Sequence, residues 1–307
     1  MKRNALVAAI EAGGTKFICA VGTGPDDLRM VSRIPTTTPD ETLRGVLSFF
    51  DKAAKVHGPF AAIGVASFGP LDLVKDSATY GYITSTPKPG WQNVDLLGPL
   101  RERFGVPVGF DTDVNGAALG EHLWGAGQGC DPLVYLTIGT GIGGGALVNG
   151  KLLHGMLHPE MGHLLVPQPV SSAPHSSGVC PFHSSCLEGF ISGPAIARRW
   201  GSPADTFAAD HEVWKEFATV LASGLVNIIV TFSPQRIILG GGVMHQAHLL
   251  PMLHAEVRRL LNRYLPTREL LGDMTDYIVP PGLGEDAGII GAIALGVRAM
   301  LSEGEKN

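Results

Sequence analysis

The chain has no excess of basic residues. It carries 23 Lys and Arg against 28 Asp and Glu, a formal net charge of −5 at pH 7. Proteins that bind nucleic acid through its phosphates present a basic surface, so this balance argues against a nucleic-acid partner. Apolar runs are short, and none approaches the roughly 18–20 residues of a membrane span. Residues 1–4 lead into an apolar segment without a small-residue cleavage site, so we expect a cytoplasmic protein that does not bind membranes.

Cysteine is also scarce, with 4 residues in 307. Cys19 and Cys130 stand in separate contexts, whereas Cys180 and Cys186 flank His183 in the pattern Cys-x2-His-x2-Cys. In a reducing compartment such a pair favours a metal over a disulfide. A disulfide and two free thiols are the alternatives.

Three thiol and imidazole ligands at this spacing can converge on one tetrahedral zinc, and a fourth ligand must come from elsewhere. We favour His163, in the sequence EMGH at residues 160–163, and His158 is the alternative. His154 and His175 lie in the same stretch without an assigned role.

Glycine, in contrast, is abundant at 41 residues, and two glycine turns lie between predicted strands. EAGGTK at residues 11–16 follows a predicted strand at 6–10, and GTGIGGG at 139–145 follows one at 133–138. Glycine lets backbone N–H groups approach phosphate oxygens without a Cβ in the way. Walker and Rossmann loops require a helix after the glycines, whereas a strand follows both turns here. The two turns therefore indicate a nucleoside triphosphate held between two domains.

A third glycine run, at residues 240–242, ends a predicted strand before a helix and fits the adenosine side of a nucleotide site. A tight helix entry is its alternative. Because the order strand, glycine turn, strand occurs twice, we predict two α/β domains with a ligand-binding cleft between them. We place the domains at residues 1–112 and 113–285, with an irregular insertion at about 151–188 that carries the zinc ligands.

Together these segments resemble the ROK family of sugar kinases in the actin/hexokinase superfamily. DVNGAALGE at residues 113–121 is similar to the family's catalytic segment, and the segments at 160–163 and 180–188 are similar to its sugar and metal loops. The likeness covers nearly the whole chain and favours the bacterial fructokinase branch, which shares the long loop at 80–91. The chain departs from the common pattern at Glu11, where many members have Asp, and at His183, where a third cysteine is commoner.

The resemblance implies two ribonuclease-H-like domains flanking the cleft, with a C-terminal helix at about 286–302 that packs on the first. It also implies a homodimer. The implied activity is that of an ATP- and magnesium-dependent hexose kinase that phosphorylates D-fructose at its 6-hydroxyl. Asp113 would be the general base, because phosphoryl transfer needs a positioned acceptor for the hydroxyl proton. Capping the following helix is its alternative role, and Asp111 is the rival base on the same strand face.

The remaining site residues follow from the same resemblance. The sugar contacts are Gly69, Asn93, Asn115, Glu160, His163 and Glu188. The nucleotide contacts are Gly13, Gly14, Thr15, Lys16, Thr140, Gly141, Gly241 and Gly242. The zinc ligands are His163, Cys180, His183 and Cys186, and Glu11 would hold magnesium through water.

Four other functions are alternatives to fructokinase. A glucose, mannose or N-acetylmannosamine kinase would use the same machinery. A repressor of this family would need a helix-turn-helix domain, and only about five residues precede the first predicted strand. A non-catalytic sugar-binding regulator conflicts with the presence of Asp113 and both phosphate turns. A dinucleotide-dependent oxidoreductase lacks the helix after its glycines.

Overall fold

The computed structural model describes residues 5–170 and 172–304, so the predictions for residues 1–4 lie outside the described residues. The chain divides into two compact units. The first unit runs through Gln128 and includes Leu152–Pro159 and the segment from Gly282 onward, and the second unit comprises Gly129–Lys151 and Glu160–Pro281.

Both units combine strands with helices. The strands of the described residues are β1 (Val7–Ala12), β2 (Lys16–Gly24), β3 (Asp27–Pro35), β4 (Ala62–Ser67), β5 (Tyr82–Ile83), β6 (Val94–Asp95), β7 (Val108–Thr112), β8 (Leu133–Ile138), β9 (Ile142–Val148), β10 (Lys151–Leu152), β11 (Arg236–Gly240) and β12 (Ile278–Val279). Their α-helices are α1 (Pro39–His57), α2 (Gly98–Phe104), α3 (Asp113–Trp124), α4 (Leu187–Ile191), α5 (Gly193–Trp200), α6 (Glu212–Phe232), α7 (Leu249–Leu261), α8 (Arg268–Leu271) and α9 (Ala287–Gly304).

The two five-stranded sheets have the same internal order. The first is β3-β2-β1-β4-β7 and the second is β10-β9-β8-β11-β12. In each sheet the first strand along the chain, β1 or β8, pairs antiparallel with the strand that follows it. On its other side it pairs parallel with β4 or β11. An added parallel strand, β7 or β12, completes that side. This repeated order confirms the predicted α/β class, and in both units the glycine turn joins the first antiparallel pair.

The strands that carry the site are buried on both faces. β4 is buried at every residue and β1 at all but one, as expected of strands covered by helices. The helix α9 packs on this sheet through glycines, because a Cβ on Gly64 of β4 would lie 1.7 Å from the carbonyl oxygen of Ala292. A Cβ on Gly109 of β7 would lie 2.1 Å from the carbonyl oxygen of Leu295. Glycine is therefore required where this helix meets the sheet backbone.

The division between the units falls after Gln128, whereas we predicted it at residue 113. Close backbone packing explains why α3 stays with the first unit. A Cβ on Gly291 of α9 would lie 2.3 Å from the backbone of Gly116 in α3. A buried carboxylate adds to this contact, because Glu121 of α3 accepts hydrogen bonds from the backbone N–H groups of Gly282 and Leu283 at 3.0 Å each.

Local contacts set the ends of several helices. Thr38 caps α1, since its side chain accepts from the backbone N–H of Glu41. The helix α2 begins at Gly98, just after the Asp95 carboxylate, which accepts from the Gly98 N–H at 2.7 Å. A 3-10 turn at Gly242–His245 precedes α7, which is capped by Asn262 with a φ of 46°.

One helix of the described residues, α6, is long and apolar enough to cross a membrane. Its apolar window is 67% buried inside the structure. Burial of this kind is what the core helix of a folded unit shows, so α6 gives no reason to assign a membrane span.

Candidate active site

The predicted catalytic segment lies where β7 passes into α3 in the first unit. Thr112 caps the helix, because its hydroxyl accepts from the backbone N–H of Asn115 at 3.2 Å. Asp113 is the first residue of α3, and its Oδ1 accepts from the Val114 N–H at 2.9 Å. Because Thr112 is the residue that caps α3, capping does not explain the presence of Asp113. This favours the role of Asp113 as the proton acceptor.

Asp111 is the rival base, but both of its carboxylate oxygens are already engaged. Its Oδ1 accepts from the Thr112 N–H and from Asn115 Nδ2, each at 2.8 Å. Its Oδ2 lies 2.9 Å from Nε2 of His154. The Asp111 carboxylate thus has protein partners on both of its oxygens, which argues against its role as the base.

Asn115 occupies a deeper position than predicted. It is fully buried, and its Nδ2 donates to Asp111. The geometry therefore supports a role in holding Asp111 more directly than a role in touching a sugar.

Glu11, near the end of β1, has the properties of a cation ligand. Its Oε2 is buried and lacks a hydrogen-bond partner in the described structure. Burial and then the Asp113 carboxylate raise the pKa of Glu11 to about 7. A Cβ on Gly288 would lie 2.4 Å from the Glu11 carboxyl carbon, so glycine at that position leaves the side chain its space. An orphaned carboxylate oxygen beside a second carboxylate is the donor set that Mg²⁺ binds, directly or through water.

The first glycine turn is fixed by hydrogen bonds at Gly13, and its next three residues are exposed. The Gly13 N–H donates to the Lys16 carbonyl at 3.0 Å, and the Thr36 hydroxyl donates to the Gly13 carbonyl at 2.8 Å. Gly14, Thr15 and Lys16 are exposed, and a Cβ on Gly14 would meet no atom within 4 Å. The turn therefore presents backbone and a cationic side chain to an incoming phosphate.

The second glycine turn, in the second unit, is tied to Glu188. The Glu188 Oε2 accepts from the Ile142 N–H at 2.9 Å, directly after the turn. A Cβ on Gly141 would lie 2.8 Å from the same oxygen. Thr140 at the tip is exposed. One oxygen of Glu188 thus supports the phosphate turn and leaves the other oxygen for a further contact.

The third glycine run lies at the end of β11. Gly241 has a φ of 90°, and a Cβ there would lie 2.4 Å from the Ile138 carbonyl oxygen. Position 241 therefore requires glycine, both for its φ and for its close approach to β8. A Cβ on Gly242 would meet no atom within 4 Å, so the space beside this residue is open.

The predicted sugar residues of the first unit lie on loops with fixed backbones. A Cβ on Gly69 would lie 3.3 Å from Nε2 of His158, and the same nitrogen accepts from the Leu71 N–H at 3.2 Å. Asn93 has a φ of 56°, a left-handed conformation that asparagine tolerates well. Trp91 is fully buried and donates from Nε1 to the Thr37 carbonyl at 2.9 Å, so it anchors the loop in the core.

Four metal-ligating side chains converge in the second unit, namely those of His163, Cys180, His183 and Cys186. Their ligand atoms all lie within 4.8 Å of one another. The Cys180 Sγ lies 3.8 Å from Nδ1 of His163 and 3.6 Å from Nδ1 of His183. A tetrahedral zinc with ordinary bond lengths would separate sulfur and nitrogen ligands by about 3.5 Å. Cys180 and Cys186 form no disulfide, and His158 contacts Leu71, so the geometry favours the four predicted ligands over a disulfide and over His158 as the fourth ligand.

The metal cluster and the second phosphate turn belong to one packed assembly. His163 ends a 3-10 turn whose Gly162 lies against β9, since a Cβ there would lie 1.8 Å from the Ile142 carbonyl oxygen. Cys186 caps α4, in which Glu188 is the second residue. Glu160 is exposed just ahead of the 3-10 turn. The cluster therefore holds His163 and Glu188 beside the start of β9.

The first unit thus collects Glu11, Asp113, the first phosphate turn and the Gly69 and Asn93 loops. The second unit collects the metal cluster, Glu160, Glu188 and the other glycine turns. Sequence reasoning missed the contacts of His154 with Asp111 and of His158 with Leu71. No local pattern marks them, because both partners lie far away along the chain.

Comparisons with known proteins show which family and which relatives the chain resembles. The model of the ROK family matches residues 7–299. A fructokinase of Zymomonas mobilis is 45% identical over 297 residues, which cover 96% of this chain and 97% of that protein. A glucokinase of Thermotoga maritima is 28% identical, covering 93% of this chain and 95% of that protein. Among solved structures, a ROK hexokinase from Thermus thermophilus superposes with a TM-score of 0.77 at 26% identity, covering 98% of this chain and 100% of the other.

Proposed function

The chain belongs to the ROK family, and from this membership we propose that it is an ATP-dependent fructokinase, a hexose kinase that phosphorylates the 6-hydroxyl of D-fructose. The observation that carries the proposal is the similarity to a named fructokinase, which is far greater than the similarity to a named glucokinase. The fold and the arrangement of Asp113 and the glycine turns support the class of reaction.

In the proposed mechanism, Asp113 accepts the proton of the 6-hydroxyl as its oxygen attacks the γ-phosphorus. The bond from that phosphorus to the β,γ-bridging oxygen breaks, and ADP leaves. We assign the phosphates to the exposed backbone of the turns at Gly14 and Thr140, with Lys16 adding positive charge. Glu11 would hold Mg²⁺ through water, and the ion would supply positive charge that offsets the charge of the transferred group. Gly241 and Gly242 receive the adenosine side.

We assign the sugar contacts to Gly69, Asn93, Glu160, His163 and Glu188. His163 turns its Nδ1 toward both cysteine thiols, which leaves its Nε2 for a sugar hydroxyl. We propose that zinc occupies the cluster as a structural ion. It would fix the segments that carry Glu160 and Glu188, and no step of phosphoryl transfer passes through it.

We also propose a cytoplasmic homodimer. The location rests on the resemblance to the fructokinases, and the charge balance argues against a nucleic-acid partner. The homodimer rests on family resemblance, and size-exclusion chromatography with light scattering tests it.

A coupled ADP-release assay across fructose, glucose, mannose and N-acetylmannosamine tests the proposed function. We expect fructose to give the highest kcat/KM. Turnover on none of the four sugars would refute the kinase assignment. A higher kcat/KM for another hexose would keep the kinase and replace its substrate.

Replacing Glu11 with Gln should remove the magnesium response and stabilise the metal-free protein at pH 8. A folded-state pKa of about 7, raised from 4.5, means that the folded protein holds this proton more tightly than the unfolded chain. Ionisation therefore costs stability as the pH rises above 4.5, and the cost is complete above 7, at about 3 kcal/mol. Denaturant unfolding at pH 5 and pH 8, with and without Mg²⁺, measures it.

The matched control is Glu102→Gln, since Glu102 is exposed on α2. Wild type and this control should gain stability from Mg²⁺ at pH 8, and Glu11→Gln should not. A Glu11→Gln protein that is less stable than wild type at pH 8 without metal would contradict the assignment.

A further inference from the structure

His154 lies in a short segment, Leu152–Pro159, that belongs to the first unit. The chain on either side of this segment belongs to the second unit. Two of its side chains contact the first unit directly. His154 binds the Asp111 carboxylate, and His158 binds the backbone of Leu71 beside Gly69. The segment therefore contacts both the predicted catalytic segment and a predicted sugar loop.

The contact between His154 and Asp111 is a charge-assisted one. Nε2 of His154 lies 2.9 Å from Oδ2 of Asp111, and the Asp111 side chain is only 5% exposed. The hydrogen bond with Asp111 raises the pKa of His154, while burial and the Arg298 guanidinium oppose that rise. Hydrogen bonds between charged groups are about twice as strong as neutral ones, so this bond is a strong constraint on the carboxylate.

Asp111 passes this constraint to both sides of Asp113. Its Oδ1 binds the N–H of Thr112, the residue before Asp113, and Nδ2 of Asn115, one residue beyond Val114. Asn115 and Asp111 are both buried, so neither can exchange this partner for water without cost. The first turn of α3 is thus held by a carboxylate that His154 itself holds.

We propose that His154 is a positioning residue for the proton transfer assigned to Asp113. It acts through Asp111 and Asn115 and does not touch the substrate. The proposal rests on the proposed kinase function. Its physical content is that a base must sit within a fraction of an ångström of the hydroxyl proton, so loosening the turn that carries it lowers kcat.

A kinetic double-mutant cycle tests the proposal, using wild type, His154→Ala, Asp111→Asn and the double variant on fructose. We expect His154→Ala to lower kcat about tenfold while KM for ATP stays within about twofold. In the Asp111→Asn background the same change should cost less than about twofold, because its target is gone. Two additive losses would overturn the proposal.

His154→Gln is the rescue variant, because the glutamine amide can donate to Asp111 without a charge. We expect it to recover most of the lost kcat, whereas His154→Leu, which fills similar space without a donor, should be no better than alanine. Equal recovery by leucine and glutamine would reduce the role of His154 to filling space and would overturn the proposal. His175→Ala is the matched control, since His175 is exposed in the neighbouring stretch and has no part in the site. A fully active His154→Ala protein would also overturn the proposal.

The comparison of wild type with His154→Gln should depend on pH. The charged groups that face His154 are Asp111 of β7 and Arg298 of α9, and Asn115 of α3 adds a neutral amide. Because the folded-state pKa of the histidine is raised, its charge contributes fully below the unfolded pKa of about 6.5 and is lost as the pH rises through the folded value. The advantage of wild type in kcat and in unfolding midpoint should therefore be larger at pH 6 than at pH 9. A constant advantage would contradict the charged contact.

Failure of this proposal is distinguishable from failure of the proposed function. If wild type phosphorylates no hexose, the kinase assignment fails and the positioning role falls with it. If wild type is active and the cycle is additive, the positioning role fails alone. Stability coupling between His154 and Asp111, from denaturant unfolding of the same four proteins, reports on the contact in either case.

Discussion

Replacing Asp113 with Asn should lower kcat for fructose phosphorylation about a thousandfold, the middle to upper part of the range for a lost general base. The change keeps the size and the helix position of the side chain and removes its capacity to accept a proton. KM for fructose should change less than about threefold, because the hydroxyl still finds a polar partner. Initial rates of ADP release across fructose concentrations measure both constants.

Asp76→Asn is the matched control, since it makes the same chemical change at a residue on an exposed loop. We expect it to retain wild-type kcat. An Asp113→Asn enzyme within about threefold of wild type would sink the assignment. An equally severe loss in kcat for Asp111→Asn, combined with normal activity of Asp113→Asn, would transfer the base to Asp111.

Removing one thiol from the metal cluster should have the largest effect on stability. Metal-replete wild type should carry about one zinc per chain, and Cys180→Ser should carry less than about a tenth of that amount. Structural zinc sites contribute binding free energy directly to folding. We therefore expect the unfolding midpoint of the variant to fall by about 10 °C or more, and KM for fructose to rise because the Glu160 and Glu188 loops lose their support.

Elemental analysis, thermal unfolding and kinetics on one preparation check all three outcomes. His175→Ala serves as the control, because it removes a nearby imidazole that lies outside the cluster. Prolonged treatment of wild type with a strong chelator should reproduce the variant. Less than about half an equivalent of zinc in metal-replete wild type would count against the site, as would an unchanged midpoint for Cys180→Ser.

Much of the fold could be predicted because its signals are local. The strand β8 has the predicted bounds, because it is a mostly apolar run that ends directly at a glycine turn. The hairpin of β5 and β6 was missed because each strand has two residues and its pairing depends on the whole loop. Such short elements leave no periodic pattern to read.

The site divides in the same way. Cys180, His183 and Cys186 could be found from spacing alone, because a metal demands particular side chains at short intervals. His154 could not, because it lies 39 residues from its neighbour Asn115 and its local sequence has no distinguishing pattern. The burial of Asn115 was equally hidden, since nothing in the first turn of a helix reveals which face the rest of the chain will cover.

The glycine seam between α9 and the first sheet has a consequence for biosynthesis. Gly64 and Gly109 lie bare in the sheet until a helix that begins at Ala287 arrives to cover them. A ribosome therefore finishes the second unit before it delivers the piece that completes the first. During that interval the first unit has its strands but lacks the helix that covers one face of its sheet, and exposed apolar surface of this kind favours association between incomplete chains. Chains that end before α9 would keep this face of the sheet uncovered. The stability of the first unit therefore depends on the last helix of the sequence.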